Sequence, residues 1–293
     1  TYVRPIGLPW PFTIKAGETT EQSVTLTISG EITTPASTAA TDDVITINVG
    51  AAIGTMPGIG LGLEPQHAQS ALQCIDLIKP IGAQTLICWH DLRANHGINQ
   101  LKQAQQISAA MGAELVLEAV IPCDDYLTEI KQVAEQAQQA GARFAAVRFS
   151  PADYLRSFMP GSPWPELPPL ELIYDAAREA FPGVTIGGGM FSFFPELNRK
   201  RPPTDSLDYI THTSNVITHA CDDITVTENL EALPFIIQTC RSFADGKPYR
   251  VGPSAIAMRF NPYGAKTMDN PDNQRIAMAR MDPRQRGLIN SAW

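Results

Sequence analysis

The chain has no long apolar run. No stretch approaches the roughly 20 residues that a bilayer-spanning helix needs, and its N-terminus shows no signal-peptide pattern. No membrane partner is expected. Positive charge is also scarce. Lysines and arginines number 22 against 30 aspartates and glutamates, a formal net charge of -8. Such a balance excludes binding to nucleic acid or an anionic surface through bulk charge. The basic cluster NRKR at 198–201 is too short to change that. Cysteines are few: Cys74, Cys88, Cys123, Cys221 and Cys240, odd in number and never in a C-x-x-C pair. They read as free, mostly buried thiols, which suits a reducing compartment and a cytoplasmic location. The short catalytic signatures are missing too. There is no G-x-S-x-G elbow, no H-E-x-x-H, no H-x-H on the first strand and no complete G-x-G-x-x-G. A serine nucleophile, a histidine-held metal and a dinucleotide site are therefore not expected, and no cofactor is assigned.

What is present is ordinary for a globular protein. Hydrophobic residues make up 44% of the 293 positions and charged residues 18%, enough for a large core. Two textures divide the chain. In residues 1–50, EQSVTLTISG and DDVITINVG alternate apolar and polar residues as half-buried strands do, with turn-like AGETT and TTPASTAATDD around them. The opening TYVRPIGLPWPF reads as if in mid-domain, so residues 1–50 are expected to be β-rich, the tail of an N-terminal β-domain.

From residue 51 strand-like and helix-like runs alternate. Strands are expected at 59–64, 85–89, 114–121, 143–149, 184–191, 208–213 and 248–258. Helices are expected at 66–78, about 98–111, about 126–139, about 169–180 and about 234–244. Asp124 or Asp125 suits the N-cap of the third helix, and glycines such as Gly112 and Gly141 follow helices where a left-handed residue is wanted. Serial β/α units imply a parallel sheet, and spacings of roughly 25–40 residues favour a (β/α)8-type TIM barrel over an open doubly wound sheet. The eighth strand is not visible, and DPRQRGLINSAW reads as the start of a seventh helix.

In such barrels sites form at the C-terminal ends of the strands. There the first strand delivers Glu64, and the second Trp89, His90, Asp91 and Arg93. The third delivers Glu118, the fourth Arg148 and Ser150, and the fifth Ser192, Glu196, Asn198 and Arg199. The sixth delivers His212, Ser214, Asn215 and His219, and the seventh Arg259, Asn261 and Tyr263. Single polar residues at strand ends commonly cap loops; their recurrence after nearly every strand suggests a site. Glu118 lies between Leu117 and Ala119, so it should be buried, and a buried carboxylate must be paired or protonated. Arg148, one strand along, is the natural partner, either as a structural ion pair or as part of a catalytic group. Glu118 and His212 are expected to transfer protons and Arg148 to stabilise charge. Substrate contacts are expected from Glu64, Trp89 and His90, from Phe191, Ser192, Glu196 and Asn198, and from Asn215, Arg259 and Tyr263. All are expected to converge in the barrel mouth. Glu196–Arg199 also reads as a local i,i+3 ion pair.

Barrel glycosidases place one carboxylate after strand four and another on strand seven. Here those strands end RFSP and IAMRFNP, with no acid at either place, so a two-carboxylate mechanism loses ground. Three longer stretches carry more information: GGGMFSFFPELNRKRPP (187–203), THTSNVITHACDD (211–223) and GPSAIAMRFNPYG (252–264). They resemble the barrel region of the D-apionate lactonase family, bacterial sugar-acid enzymes that open D-apionolactone to D-apionate. The resemblance covers roughly residues 50–293. It implies a hydrolase of a small sugar lactone, with residues 1–50 as the end of the family's N-terminal β-domain and further β-structure beyond the barrel in full members. It maps no catalytic residue onto this chain. A glycoside hydrolase with displaced carboxylates and a non-catalytic carbohydrate-binding barrel are the alternatives. The sequence assigns no oligomeric state.

Overall fold

The computed structural model describes residues 13–30 apart from 20, 22 and 28, and residues 48–158, 161–264 and 266–293. The chain divides into two units at Thr55/Met56. In the first unit, Lys15 and Glu18 close a turn around Ala16–Gly17, and no strand is assigned among the described residues. Most of the segment expected to be β-rich, 1–12 and 31–47, lies outside the described residues.

The second unit contains seven parallel strands in sequence order. These are β1 (Gly60–Leu63), β2 (Thr85–Asp91), β3 (Glu114–Ile121), β4 (Phe144–Pro151), β5 (Thr185–Phe193), β6 (Tyr209–Ser214) and β7 (Tyr249–Ser254). The connecting helices are α1 (Ala68–Gln73), α2 (Ile75–Ile78), α3 (Ile98–Met111), α4 (Tyr126–Ala140), α5 (Leu170–Ala180), α6 (Phe194–Arg199), α7 (Asp223–Glu228), α8 (Leu233–Phe243) and α9 (Leu288–Ala292). The sheet curls into a nearly closed barrel. Gly62 on β1 faces Pro253 on β7, whose Cγ would lie 3.0 Å from a Cβ at that glycine.

Local chemistry sets the element ends. Asp125 caps α4 by accepting from the Thr128 amide at 3.3 Å, and Gly141 ends it with φ 66°. The expected single helix at 66–78 is broken into a 3-10 turn and two short helices at Cys74. The DPRQRGLINSAW tail is not one helix either: a 3-10 turn over Pro283–Arg286 precedes α9, and Asp282 caps that turn. All five cysteines are free.

Strand register decides which side chains enter the barrel. Trp89, Glu118, Arg148 and Gly187 lie in one row across β2 to β5, and Gly187 pairs with Tyr209 on β6. The side chains next along each strand point outward. Thus Leu117 and Ala119 join the core under the helices, while Val116, Ala146 and Tyr209 pack together inside. The three glycines at 187–189 serve this packing. A Cβ at Gly187 would collide with the Tyr209 ring, and one at Gly188 with Leu207. Gly189 has φ +134° and lies against the Thr211 carbonyl, a backbone state that L side chains rarely adopt. The space they leave is taken by the barrel's own residues, not by an outside group.

Candidate active site

At the C-terminal half of the barrel interior, Glu118 is completely buried between two guanidinium groups. Its Oε1 accepts from Arg148 Nη2, and Arg259 Nη1 lies 2.6 Å from Oε2. Arg148 Nη1 also donates to Thr211 Oγ1 at 2.9 Å. Arg259 reaches back from the segment after β7, and its Nε donates to Glu64 Oε1 at 2.9 Å. Arg280 Nη2 donates to Glu64 Oε2 at 3.1 Å. Three guanidiniums thus face two carboxylates, an excess of one positive charge. Burial pulls the Arg259 pKa down, but Glu118 and Glu64 outweigh it and leave it raised. The group stays charged.

Aromatic rings wall this network. Trp89 meets Phe191 edge-on at 5.4 Å and Phe260 at 4.6 Å. Arg259 stands 5.0 Å over both Trp89 and Phe260, and Arg148 5.6 Å over Phe191. These contacts hold the guanidinium planes and keep water from the ion pairs. A buried, water-poor charge cluster of this kind acts strongly on any charge that develops beside it.

The structure therefore brings Glu64, Trp89, Glu118, Arg148, Phe191 and Arg259 together. It does not bring His212 to them. Thr211 faces Arg148, so His212, the next residue, points to the other face, beside Phe194 and Tyr249. Its Nδ1 lies 2.7 Å from the Thr213 carbonyl, which can only accept, so Nδ1 carries the proton. Nε2 then accepts from the Tyr249 hydroxyl at 2.6 Å. Burial lowers the His212 pKa. Both ring nitrogens are thus engaged, and the expected proton shuttle does not face the network. His90 follows the same alternation. Trp89 points in, whereas His90 points toward α4 and donates from Nε2 to Gln136 Oε1 at 2.9 Å.

The remaining expected contacts scatter. Ser192 is buried, and its hydroxyl has no hydrogen-bond partner among the described residues. Glu196 is buried and ties α6 to the segment after β4. It pairs with Arg199 at 2.7 Å and Lys200 at 3.1 Å; Arg199 donates to Ser157, and Lys200 to the Tyr154 and Arg156 carbonyls. Asn198 is exposed and accepts from Arg201. Asn215 and Tyr263 line a separate cleft. Thr211, Phe260 and Arg280 belong to the network but were not among the expected site residues. Phe260 lies within the MRFNP stretch beside Arg259, whereas nothing near Arg280 in sequence marks it.

A model of the D-apionate lactonase TIM barrel domain matches residues 59–293, and one of that family's N-terminal domain matches residues 1–31. The chain belongs to the D-apionate lactonase family. A curated relative, D-apionate lactonase of Brucella anthropi, is 43% identical over 294 residues, covering 100% of this chain and 48% of its own length. The chain thus spans about half the length of the relative it matches. Among solved structures, a β-glucuronidase from Ruminococcus gnavus aligns with TM-score 0.42 and 8% identity over 67% of this chain and 33% of its own. A putative mandelate racemase/muconate lactonizing enzyme from Sorangium cellulosum aligns with TM-score 0.37 and 16% identity over 69% and 47%. Likenesses at this level carry no functional argument.

For this family member, the outward-facing histidines predict a pH dependence of stability. Burial pushes the His90 pKa down to about 4, with Gln136 opposing it. In the unfolded chain a histidine titrates near 6.5. Above that pH neither state binds the proton. As pH falls from about 6.5 to about 4, the unfolded state binds it and the folded state does not. Stability should then fall by about 1.4 kcal/mol per pH unit from this group. His212, whose pKa burial also lowers, adds to the loss below about pH 6.5. Urea unfolding at pH 7, 6 and 5 should show a shallower slope in His90→Gln than in wild type. Equal slopes would contradict the assignment.

Proposed function

We propose that this chain forms the barrel part of an enzyme that hydrolyses a small sugar lactone, D-apionolactone, to its open acid, D-apionate. Family membership supports the reaction class. The observation that carries the reading at the site is the arginine pair held by Glu118 in the C-terminal half of the barrel interior. In lactone opening, water adds to the ring carbonyl, the carbonyl oxygen takes negative charge, the ring C–O bond breaks and the leaving alkoxide takes a proton. Arg148 and Arg259 supply the positive field for that oxygen, and Glu118 positions them. Glu118 is fully buried between its two guanidiniums, so we assign water activation to Glu64, the network's less enclosed carboxylate.

A glycosidase needs two carboxylates facing each other across an open site. Here Glu64 and Glu118 are bridged by one guanidinium instead. We further propose that residues 1–50 end an N-terminal β-domain, a reading supported by the family match over residues 1–31. The reading of free thiols also supports a cytoplasmic location. The test is a panel of aldonolactones and aryl glycosides assayed with the full-length protein. D-apionolactone is expected to be opened and the glycosides left intact. Glycoside cleavage without lactone opening would overturn the proposal.

A further inference from the structure

A cleft of about 280 Å3 opens beside the C-terminal ends of β5 and β6, bounded by α6, α7, α8 and the segment after β7. None of Glu64, Glu118, Arg148 or Arg259 lines it. Its volume is near the lower end of small-molecule sites, about 300 Å3. One wall is aromatic: Phe193 and Tyr263, with ring centroids 6.1 Å apart. The other is polar, with Asn215, Thr218 and His219. Thr218 donates to Asn215 Oδ1 at 2.7 Å. That bond fixes the amide and leaves its nitrogen free to donate. The Tyr263 hydroxyl and the His219 ring make no hydrogen bond among the described residues. An apolar face opposite fixed and free donors is the pattern that accepts a sugar, whose C–H face stacks while its hydroxyls bond.

The position ties the cleft to the charged network. Thr213 lines the cleft, and Thr211, which holds Arg148, lies two residues earlier on the same strand. Two residues of β-strand advance about 6.5 Å, so the cleft wall at Thr213 stands about that far along β6 from the threonine that holds Arg148. His212 positions this wall: it anchors the Thr213 carbonyl and the Tyr249 hydroxyl at once.

We infer that this cleft binds the hydroxyl-bearing part of a small polyhydroxylated acid or its lactone, with Asn215, His219 and Tyr263 as the residues that determine specificity. The inference deepens the lactone-hydrolase reading and rests on it for the substrate class. Calorimetric or ligand-observed NMR titration of the full chain with a five-carbon aldonate tests it. Asn215→Ala is expected to weaken binding about 3–10-fold, and Tyr263→Ala about tenfold, with unfolding midpoints unchanged. Tyr263→Phe, which keeps the ring, should recover most of the loss. Lys131→Ala, at an exposed position of α4 outside the cleft and the charged network, should leave the aldonate's affinity in place. Absence of saturable binding by wild type, or wild-type affinity in both alanine variants, would overturn the inference. Lactone hydrolysis with KM unmoved in both variants would overturn the cleft assignment alone and leave the hydrolase reading standing. Aldonate binding that depends on Asn215 and Tyr263, without hydrolysis of any lactone, would keep the cleft and remove the hydrolase reading.

Discussion

Glu118→Ala is expected to destabilise the barrel by about 3–5 kcal/mol, because it leaves two guanidinium groups without their shared anion in a buried site. For a domain of this size that is a fall in Tm of about 6–20 °C. Neither guanidinium can shed its charge, since arginine does not deprotonate in proteins. Arg148 sits at 3% exposure and cannot turn to solvent without opening the barrel. Arg259 is better placed, because Glu64 remains beside it. The loss should therefore trace mainly to Arg148, and Glu118→Leu combined with Arg148→Met should recover much of it by replacing the ion pair with apolar packing. Thermal unfolding of the single and double variants distinguishes the two cases. A single variant as stable as wild type would mean that the pair is solvated, contrary to its burial.

The opposite phenotype is expected at the other carboxylate. Glu64→Gln should lower kcat for lactone opening by about 10²–10⁴-fold, the range for loss of a general base. Its effect on stability should be smaller than that of Glu118→Ala, about 1.5–3 kcal/mol, as for loss of hydrogen bonding to a charged group. Glu64 keeps 19% of its side-chain surface exposed, and Arg259 retains Glu118 when Glu64 loses its charge. Glu118 is fully enclosed, whereas Glu64 stands partly exposed at the outer end of the network, between Arg259 and Arg280. Steady-state kinetics on folded protein decides the matter. Turnover unchanged in Glu64→Gln would place the proton acceptor elsewhere and leave the arginine field as the only part of the mechanism drawn from this site.

Much of the barrel was legible from residue order. The run ELVLEAVI became β3 at the expected limits, Glu114–Ile121, and INQLKQAQQISAAM became α3 at Ile98–Met111. Both signals are local: apolar periodicity and a terminal glycine act within a few residues. Short elements were harder. Helices α6 and α7 have six residues each, too few to show a helical period, and the first expected helix broke at Cys74. The Glu118–Arg148 pair was readable because neighbouring parallel strands set like-facing positions side by side. His90 and His212 misled because polarity at a strand end does not reveal which face a residue occupies. One step along a strand reverses it.

Residue order alone established that the chain alternates strands and helices, that Glu118 would be buried with arginine as its natural partner, and that the three long stretches running through the ends of the fifth, sixth and seventh strands carry the family likeness. These are properties of short windows, or of adjacent strands whose register follows from regular repeats. The path of the folded chain brought a second and a third arginine to complete the network. Arg259 and Arg280 stand 195 and 216 positions from Glu64, and their meeting depends on how the segment after β7 folds back across the barrel. It also decided that Gly187 yields its space to Tyr209 and that His212 spends both nitrogens on its own wall. Contacts of that kind depend on the path of the whole chain, because no local propensity encodes the direction in which a distant loop returns.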